Sequence, residues 1–206
     1  MPELPAATPL TAENRRHLAN VSVATLTTLL FKRGLRNLQV QNVHPLNANA
    51  PTMVGETVTL RYIPAREDID VLDVFKDPEH PQRKAIETCP PGHVMMIDSR
   101  KDASGASAGG ILMSRLMKRG AAGIVTDGGF RDTPEMSGMP VPIYHQRPAA
   151  RTNLCMNHAV DINVPVACGG VPVFPGDIVV GDGEAVVVIP AYLANEIAEE
   201  SIEMSL

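Results

Sequence analysis

The spacing of apolar positions changes along the chain, and each change marks an element. After Ser22 the side chains of Val23, Leu26, Leu30 and Phe31 recur at three- and four-residue steps, the repeat of an amphipathic helix. Ser22 suits its N-cap and Gly34 its end. Thr11 can cap a shorter helix that carries Arg15 and His17. Residues 35–50 are polar and loop-like. Over Thr57 to Ile63 the repeat falls to two, with Val58, Leu60 and Tyr62 on one side and Thr57, Thr59 and Arg61 on the other. That alternation predicts a half-buried strand. Residues 64–83 are charged and interrupted by proline. Within them Val71, Leu72, Val74 and Phe75 predict a short amphipathic helix. Arg83 to Thr88 predicts another, stopped by Pro90 and Pro91.

Two later segments share a layout. Pro91-Gly-His-Val-Met-Met-Ile-Asp98 and Pro175-Gly-Asp-Ile-Val-Val-Gly-Asp182 each place a Pro-Gly turn, an apolar strand and a terminal aspartate in that order, which fits two strands of one sheet system. Between them a helix opens at Gly109 and Gly110, with Ile111, Leu112, Leu116 and the stem of Arg119 as its apolar face. Ala122 to Thr126 follows as a strand. Val141 to Tyr144, Ala159 to Val166, Val171 to Phe174, Ile178 to Val180 and Ala185 to Ile189 predict further strands, the last ended by Pro190. Ala191 to Met204 predicts an acidic helix with Leu193, Ile197 and Ile202 turned inward. A Pro-rich arm of about ten residues precedes all of this, and no linker divides residues 1–206 into domains. Early helices, a central βαβ unit and late strands predict an α/β sandwich of mixed sheets flanked by helices, not a doubly wound sheet.

Composition narrows the function. Of 206 residues, 44% are hydrophobic and 20% charged, and the net charge is −5. That balance argues against a broad basic surface for nucleic acid. Aromatic residues make up 3% and tryptophan is absent, so the core must be aliphatic with methionine filling gaps. No apolar run reaches the ~18 residues needed to cross a bilayer. Cys89, Cys155 and Cys168 lack C-x-x-C spacing, which points to free thiols in a cytoplasmic protein and away from structural zinc. A phosphate-binding loop of Walker type and a serine nucleophile elbow are both missing.

The chemistry concentrates between Gly109 and Asp132. A helix opened by two glycines presents free N–H groups and a positive dipole end, which suits an anion. The strand after it ends in Gly128 and Gly129, and that turn delivers Arg131 and Asp132 side by side. If the two ends meet, a cation, a carboxylate and free amides surround one spot, a site for a small metal-bound acid. His145 ends the next strand and can reach the same pocket.

Two signatures carry a resemblance: Gly109-Gly110-x-Leu112, and Arg119-Gly-x-x-Gly-Ile-Val-x-Asp-Gly-x-x-Arg-Asp132. With Phe174-Pro-Gly-Asp-Ile-Val-Val-Gly-Asp182 and Val186-Val-Val-Ile-Pro190, the chain resembles the RraA-like family from Ser22 to the C-terminal helix. Residues 64–83 look like an insertion relative to shorter members. The family holds the regulator of ribonuclease activity A and the 4-hydroxy-4-methyl-2-oxoglutarate aldolases. The resemblance implies a swivelling β/β/α-type fold, a homotrimer or hexamer, and a site at the subunit boundary. It implies Mg²⁺ or Mn²⁺ on Asp132, substrate contact by Arg131, and a substrate carboxylate on the backbone of Gly109, Gly110, Ile111 and Leu112. A neighbour's C-terminal helix is expected to add a carboxylate, with Glu199 preferred over Glu196 and Glu200. One position departs: the aldolases carry an acidic residue where this chain has Gly110. The implied activity is metal-dependent cleavage of a 4-hydroxy-2-oxo acid to pyruvate, with oxaloacetate decarboxylation as a side reaction. The other implied role is a non-catalytic protein that inhibits ribonuclease E.

Overall fold

The computed structural model of the chain describes residues 6–47 and 49–204, apart from the side chain of Glu203. The first part of the expected Pro-rich arm, residues 1–5, lies outside the described residues. Six α-helices are present among them: α1 (Ala12–Ala19), α2 (Val23–Lys32), α3 (Pro81–Thr88), α4 (Gly110–Lys118), α5 (Thr133–Met136) and α6 (Ala194–Met204). The strands are β1 (His44–Pro45), β2 (Met53–Pro64), β3 (Val94–Asp98), β4 (Ala106–Ala108), β5 (Gly123–Thr126), β6 (Gly129–Phe130), β7 (Ile143–His145), β8 (Arg147–Pro148), β9 (Asn157–Ile162), β10 (Val166–Cys168), β11 (Val171–Val173), β12 (Ile178–Gly181) and β13 (Val186–Ile189). Thr11 and Ser22 cap α1 and α2, each accepting a backbone N–H through its hydroxyl.

The main sheet runs β1-β7-β5-β3-β2-β12-β13. Its middle is parallel, from β2 through β3 and β5 to β7, and β12 and β13 join antiparallel. The two segments with the shared Pro-Gly layout form β3 and β12, and both pair with β2. At 12 residues β2 is long enough to pair with β12 through its start, β3 through its middle and β9 through its end. A second, small parallel sheet, β4-β6-β8, is fed by the chain leaving β3, β5 and β7. The mixed α/β architecture with flanking helices is the expected one.

Alternation along the strands sends side chains into three apolar clusters. Met95 and Ile97 pack with Ile124 and Ile143 beneath α3 and α4. Ile178, Val180, Val187 and Ile189 pack beneath α1, α2 and α6. Val94, Met96, Val125 and Val179 turn to the other face, which the β10–β11 hairpin covers.

Several elements differ from the expectation. β2 is buried on both faces, because Thr57 and Thr59 donate their hydroxyls to the carbonyls of Phe174 and Val164 and so are satisfied inside. The inward stripe of α2 uses Leu29 in place of Phe31, whose ring is 61% exposed and lies under the Arg36 guanidinium. Leu72 to Lys76 is a 3₁₀ helix with Leu72 in solvent, too short to bury a face. Residues 159–166 break into β9 and β10, and the C-terminal helix starts at Ala194 after a 3₁₀ turn, with Ile202 outward. On α4 the buried positions are Gly110, Met113 and Leu116, and Ile111 is 81% exposed.

Candidate functional site

The small parallel sheet fixes the site. β4 ends at Ala108 and β6 at Phe130, and just past them the Arg131 N–H donates to the Ala108 carbonyl at 3.2 Å. The ends of the two strands are therefore locked side by side. Gly109 is extended, at φ −145° and ψ −174°, so its backbone would suit any residue. The need for glycine is steric. A Cβ there would lie 2.7 Å from Asp132 Oδ2 and 2.8 Å from Arg131 Cγ. Asp132 sits in the left-handed region at φ 59°, which aspartate tolerates better than most residues. That kink turns β6 into α5 and swings the carboxylate back over the start of α4.

There Asp132 Oδ2 accepts the Gly110 N–H at 3.0 Å and lies 3.4 Å from Arg131 Nε. Among the described residues Asp132 Oδ1 accepts no hydrogen bond, and Arg131 makes no side-chain hydrogen bond and no ion pair other than that with Asp132. Both side chains are about two-fifths exposed, at 41% and 42%. The next N–H groups of α4, on Ile111 and Leu112, have no helical carbonyl behind them. Leu112 is half-buried and anchors that turn to the core. One more carboxylate converges. Glu135 Oε2 lies 3.4 Å from where a Gly110 Cβ would be, as does the Asp132 Cβ. Proline near the start of α5 favours the one helical turn that brings Glu135 round.

A polar scaffold holds this loop from below. The buried Asp127 carboxylate accepts N–H groups from Ser99 at 2.7 Å, Lys101 at 3.0 Å and Gly169 at 3.0 Å, tying β5 to two other turns. Burial raises its pKa, against the opposing pull of those donors. Ser99, Ser107 and Thr126 share hydroxyl bonds of 2.6–3.2 Å beneath Gly128.

The structure thus brings Gly109, Gly110, Arg131 and Asp132 together, with Ile111 and Leu112 in the adjoining turn. His145 is one layer back. It stacks on Phe130 at 5.8 Å between ring centroids and 14° between planes. Its Nδ1 is buried without a partner, and burial first, then His44, lowers its pKa. Glu199 lies elsewhere in this chain, on α6, where it accepts from Asn14 Nδ2 at 3.2 Å. Glu196 and Glu200 grip Arg33. No hydrogen bond or ion pair joins any of the three to Arg131 or Asp132. Sequence reasoning missed Glu135 and the clamp role of Asp127. The Asp132-Thr-Pro-Glu135 spacing, a turn-forming proline between two carboxylates at i and i+3, was the signal available for the first.

Among the described residues no group of three or more histidine, cysteine, aspartate or glutamate side chains is placed to hold a metal. The donors on hand are the Asp132 and Glu135 carboxylates. All-oxygen donors of that number suit a hard divalent cation, since Mg²⁺ commonly takes one or two protein carboxylates and fills its other positions with water or substrate.

Residues 19–188 match the family described as RraA-like, Aldolase/RraA. A protein of Halalkalibacterium halodurans, provisionally named as a 4-hydroxy-4-methyl-2-oxoglutarate aldolase, is 34% identical over 160 residues, spanning 76% of this chain and 68% of its own. The 4-hydroxy-4-methyl-2-oxoglutarate aldolase of Thermus thermophilus is 27% identical over 122 residues, covering 59% of this chain and 73% of its own. The crystal structure of Streptomyces coelicolor RraAS2, described as an unusual member of the RNase ES inhibitor RraA family, superposes with a TM-score of 0.84 at 29% identity, covering 98% of this chain and 96% of that one.

Proposed function

The chain belongs to the RraA-like family, and from that premise we propose that it is a divalent-metal-dependent lyase that cleaves a 4-hydroxy-2-oxo acid to pyruvate. The observation that carries this reading is the meeting of Asp132, the free fork of Arg131 and the open N-terminus of α4 around Gly109. Each part matches a need of the reaction. The N–H groups of Ile111 and Leu112, at a positive helix end, can receive the substrate carboxylate. The Arg131 guanidinium stays charged and offers a planar pair of donors to an oxygen that becomes an enolate as the C3–C4 bond breaks. Asp132, with Oδ1 free, would hold Mg²⁺ or Mn²⁺. When bound, that cation supplies Lewis-acid stabilisation of the same developing charge. A Schiff-base lysine has no part here, because Lys118 lies in the last turn of α4, at the far end from Asp132. Oxaloacetate decarboxylation passes through the same enolate and is an expected side activity.

Assembly belongs to the proposal. The site is open on the side of Ile111, and a trimer or hexamer would close it with a neighbour's Glu199. The end-to-end likeness to RraAS2 favours a second reading, a ribonuclease E-binding regulator without catalysis. Incubation with 4-hydroxy-4-methyl-2-oxoglutarate and oxaloacetate, with and without Mg²⁺, separates the two. Metal-dependent pyruvate release supports the lyase. Its absence from both substrates, with inhibition of ribonuclease E, supports the regulator.

A further inference from the structure

We propose that Glu135 is the second carboxylate of the cation site, a role that rests on the lyase reading and adds a residue to it. The argument starts from position 110. Glycine there leaves a space at the first turn of α4 that any longer side chain would fill. Two groups border that space at the same distance: the Asp132 Cβ and Glu135 Oε2, each 3.4 Å from the missing Cβ. The Glu135 carboxylate makes no ion pair or hydrogen bond with any described residue, although Arg131 stands in the same loop. Asp132 in turn accepts the Gly110 N–H on Oδ2, the oxygen nearest Arg131 Nε, and Oδ1 accepts no hydrogen bond from any described residue.

Carboxylates at the N-cap and three residues on lie on one side of the turn and repel each other, and a cation held between them would remove that repulsion. A nearby helix N-terminus relieves part of that repulsion, but its amide on Gly110 is already taken by Asp132. A hydrated divalent ion satisfies both acids at once. Mg²⁺ keeps several waters and bonds to oxygen at about 2.1 Å, so Asp132 can bind it directly and Glu135 can hold it directly or through one of those waters. Arg131 and the open side of the loop border the same spot, where a 2-oxo acid would enter. Glu135 is solvent-exposed, so its replacement leaves the core untouched.

The test is a Mn²⁺ titration of the intact protein without substrate, followed by calorimetry and by water-proton relaxation. Wild type, Asp132→Asn, Glu135→Gln and a remote control, Glu184→Gln, are compared, with melting curves to verify folding. Glu184 is exposed in the turn between β12 and β13, and its loss changes the net charge by the same amount. Glu135→Gln is expected to weaken Mn²⁺ binding about 10–100-fold, the range found when a partner of a metal site is removed, and Glu184→Gln to change it less than twofold. Loss of binding in Asp132→Asn with Glu135→Gln within twofold of wild type overturns the role of Glu135 and leaves the lyase reading standing. Equal weakening in Glu184→Gln also overturns it, because the effect is then one of overall charge. A wild-type protein that takes up no Mn²⁺ overturns the reading and this proposal together.

Discussion

Adding one methyl group to Gly109 should disable the site while leaving the fold almost unharmed. The new Cβ of Gly109→Ala would start 2.7 Å from Asp132 Oδ2 and 3.0 Å from Arg131 Nε. An ordinary carbon–oxygen contact is about 3.3 Å, so the carboxylate must retreat by roughly half an ångström and carry Arg131 with it. Retreat breaks the 3.0 Å bond from Gly110 N–H. That bond is half-exposed, and its loss costs about 0.5–1.5 kcal/mol. Replacing glycine in an extended conformation offsets about 0.4–1 kcal/mol by restricting the unfolded chain. The net change in stability therefore stays within about 1 kcal/mol, a shift of roughly 2–4 °C at this chain length. Catalysis has no such offset, because displacement of this order in a positioned site can lower the rate about 10²-fold. Gly183→Ala is the remote control: it lies in the exposed turn between β12 and β13, and a Cβ there would meet nothing within 4 Å. Pyruvate release in Mg²⁺ and a melting curve on both variants suffice. If Gly109→Ala keeps more than a third of wild-type kcat/KM, or if the two variants lose activity equally, the packing argument fails.

Arg131→Lys keeps the charge but not the fork, so kcat should fall about 10²–10³-fold with the melting temperature nearly unchanged; steady-state kinetics with kcat within twofold would mean that Arg131 does no more than pair with Asp132. Asp127→Ala strips one acceptor from three backbone N–H groups, and urea unfolding should show a loss of at least about 3 kcal/mol, since each orphaned donor costs about 1–3 kcal/mol. A loss below about 1 kcal/mol would refute the clamp. Burial lowers the pKa of His145 below its ordinary value of 6.5, so the unfolded chain takes up this proton first on acidification. Stability should then fall as pH drops through 6.5 and level off below the folded pKa, and His145→Phe should flatten part of that slope, with buried His80 contributing in the same direction. Light scattering on the active protein should report a trimer or hexamer, and a fully active monomer would rule out a site completed by a neighbour's Glu199.

Much of this molecule is written in local pattern. Thr11 and Ser22 cap their helices because a hydroxyl before an apolar repeat has one favourable use. The Pro-Gly segments became β3 and β12 because a glycine turn ahead of a short apolar run bounded by aspartate fits little else. Gly109, Gly110, Arg131 and Asp132 could be named as a unit because each residue type carries its chemistry with it, a free amide, a fork or a carboxylate. Burial was not legible. Phe31 and Ile111 satisfy the helical repeat as well as any neighbour, and only the packing of other elements decided that Leu29 and Met113 face inward instead. Thr57 and Thr59 look like a solvated face until carbonyls from Phe174 and Val164, more than a hundred residues away, arrive to satisfy them. The same holds at the site. Sequence places Glu135 three residues past Asp132, but a parallel pairing of β4 with β6 is what lays both carboxylates across the glycine that opens α4. Residue type is a property of one position, whereas depth and distance arise only when strands far apart in the chain are hydrogen-bonded side by side.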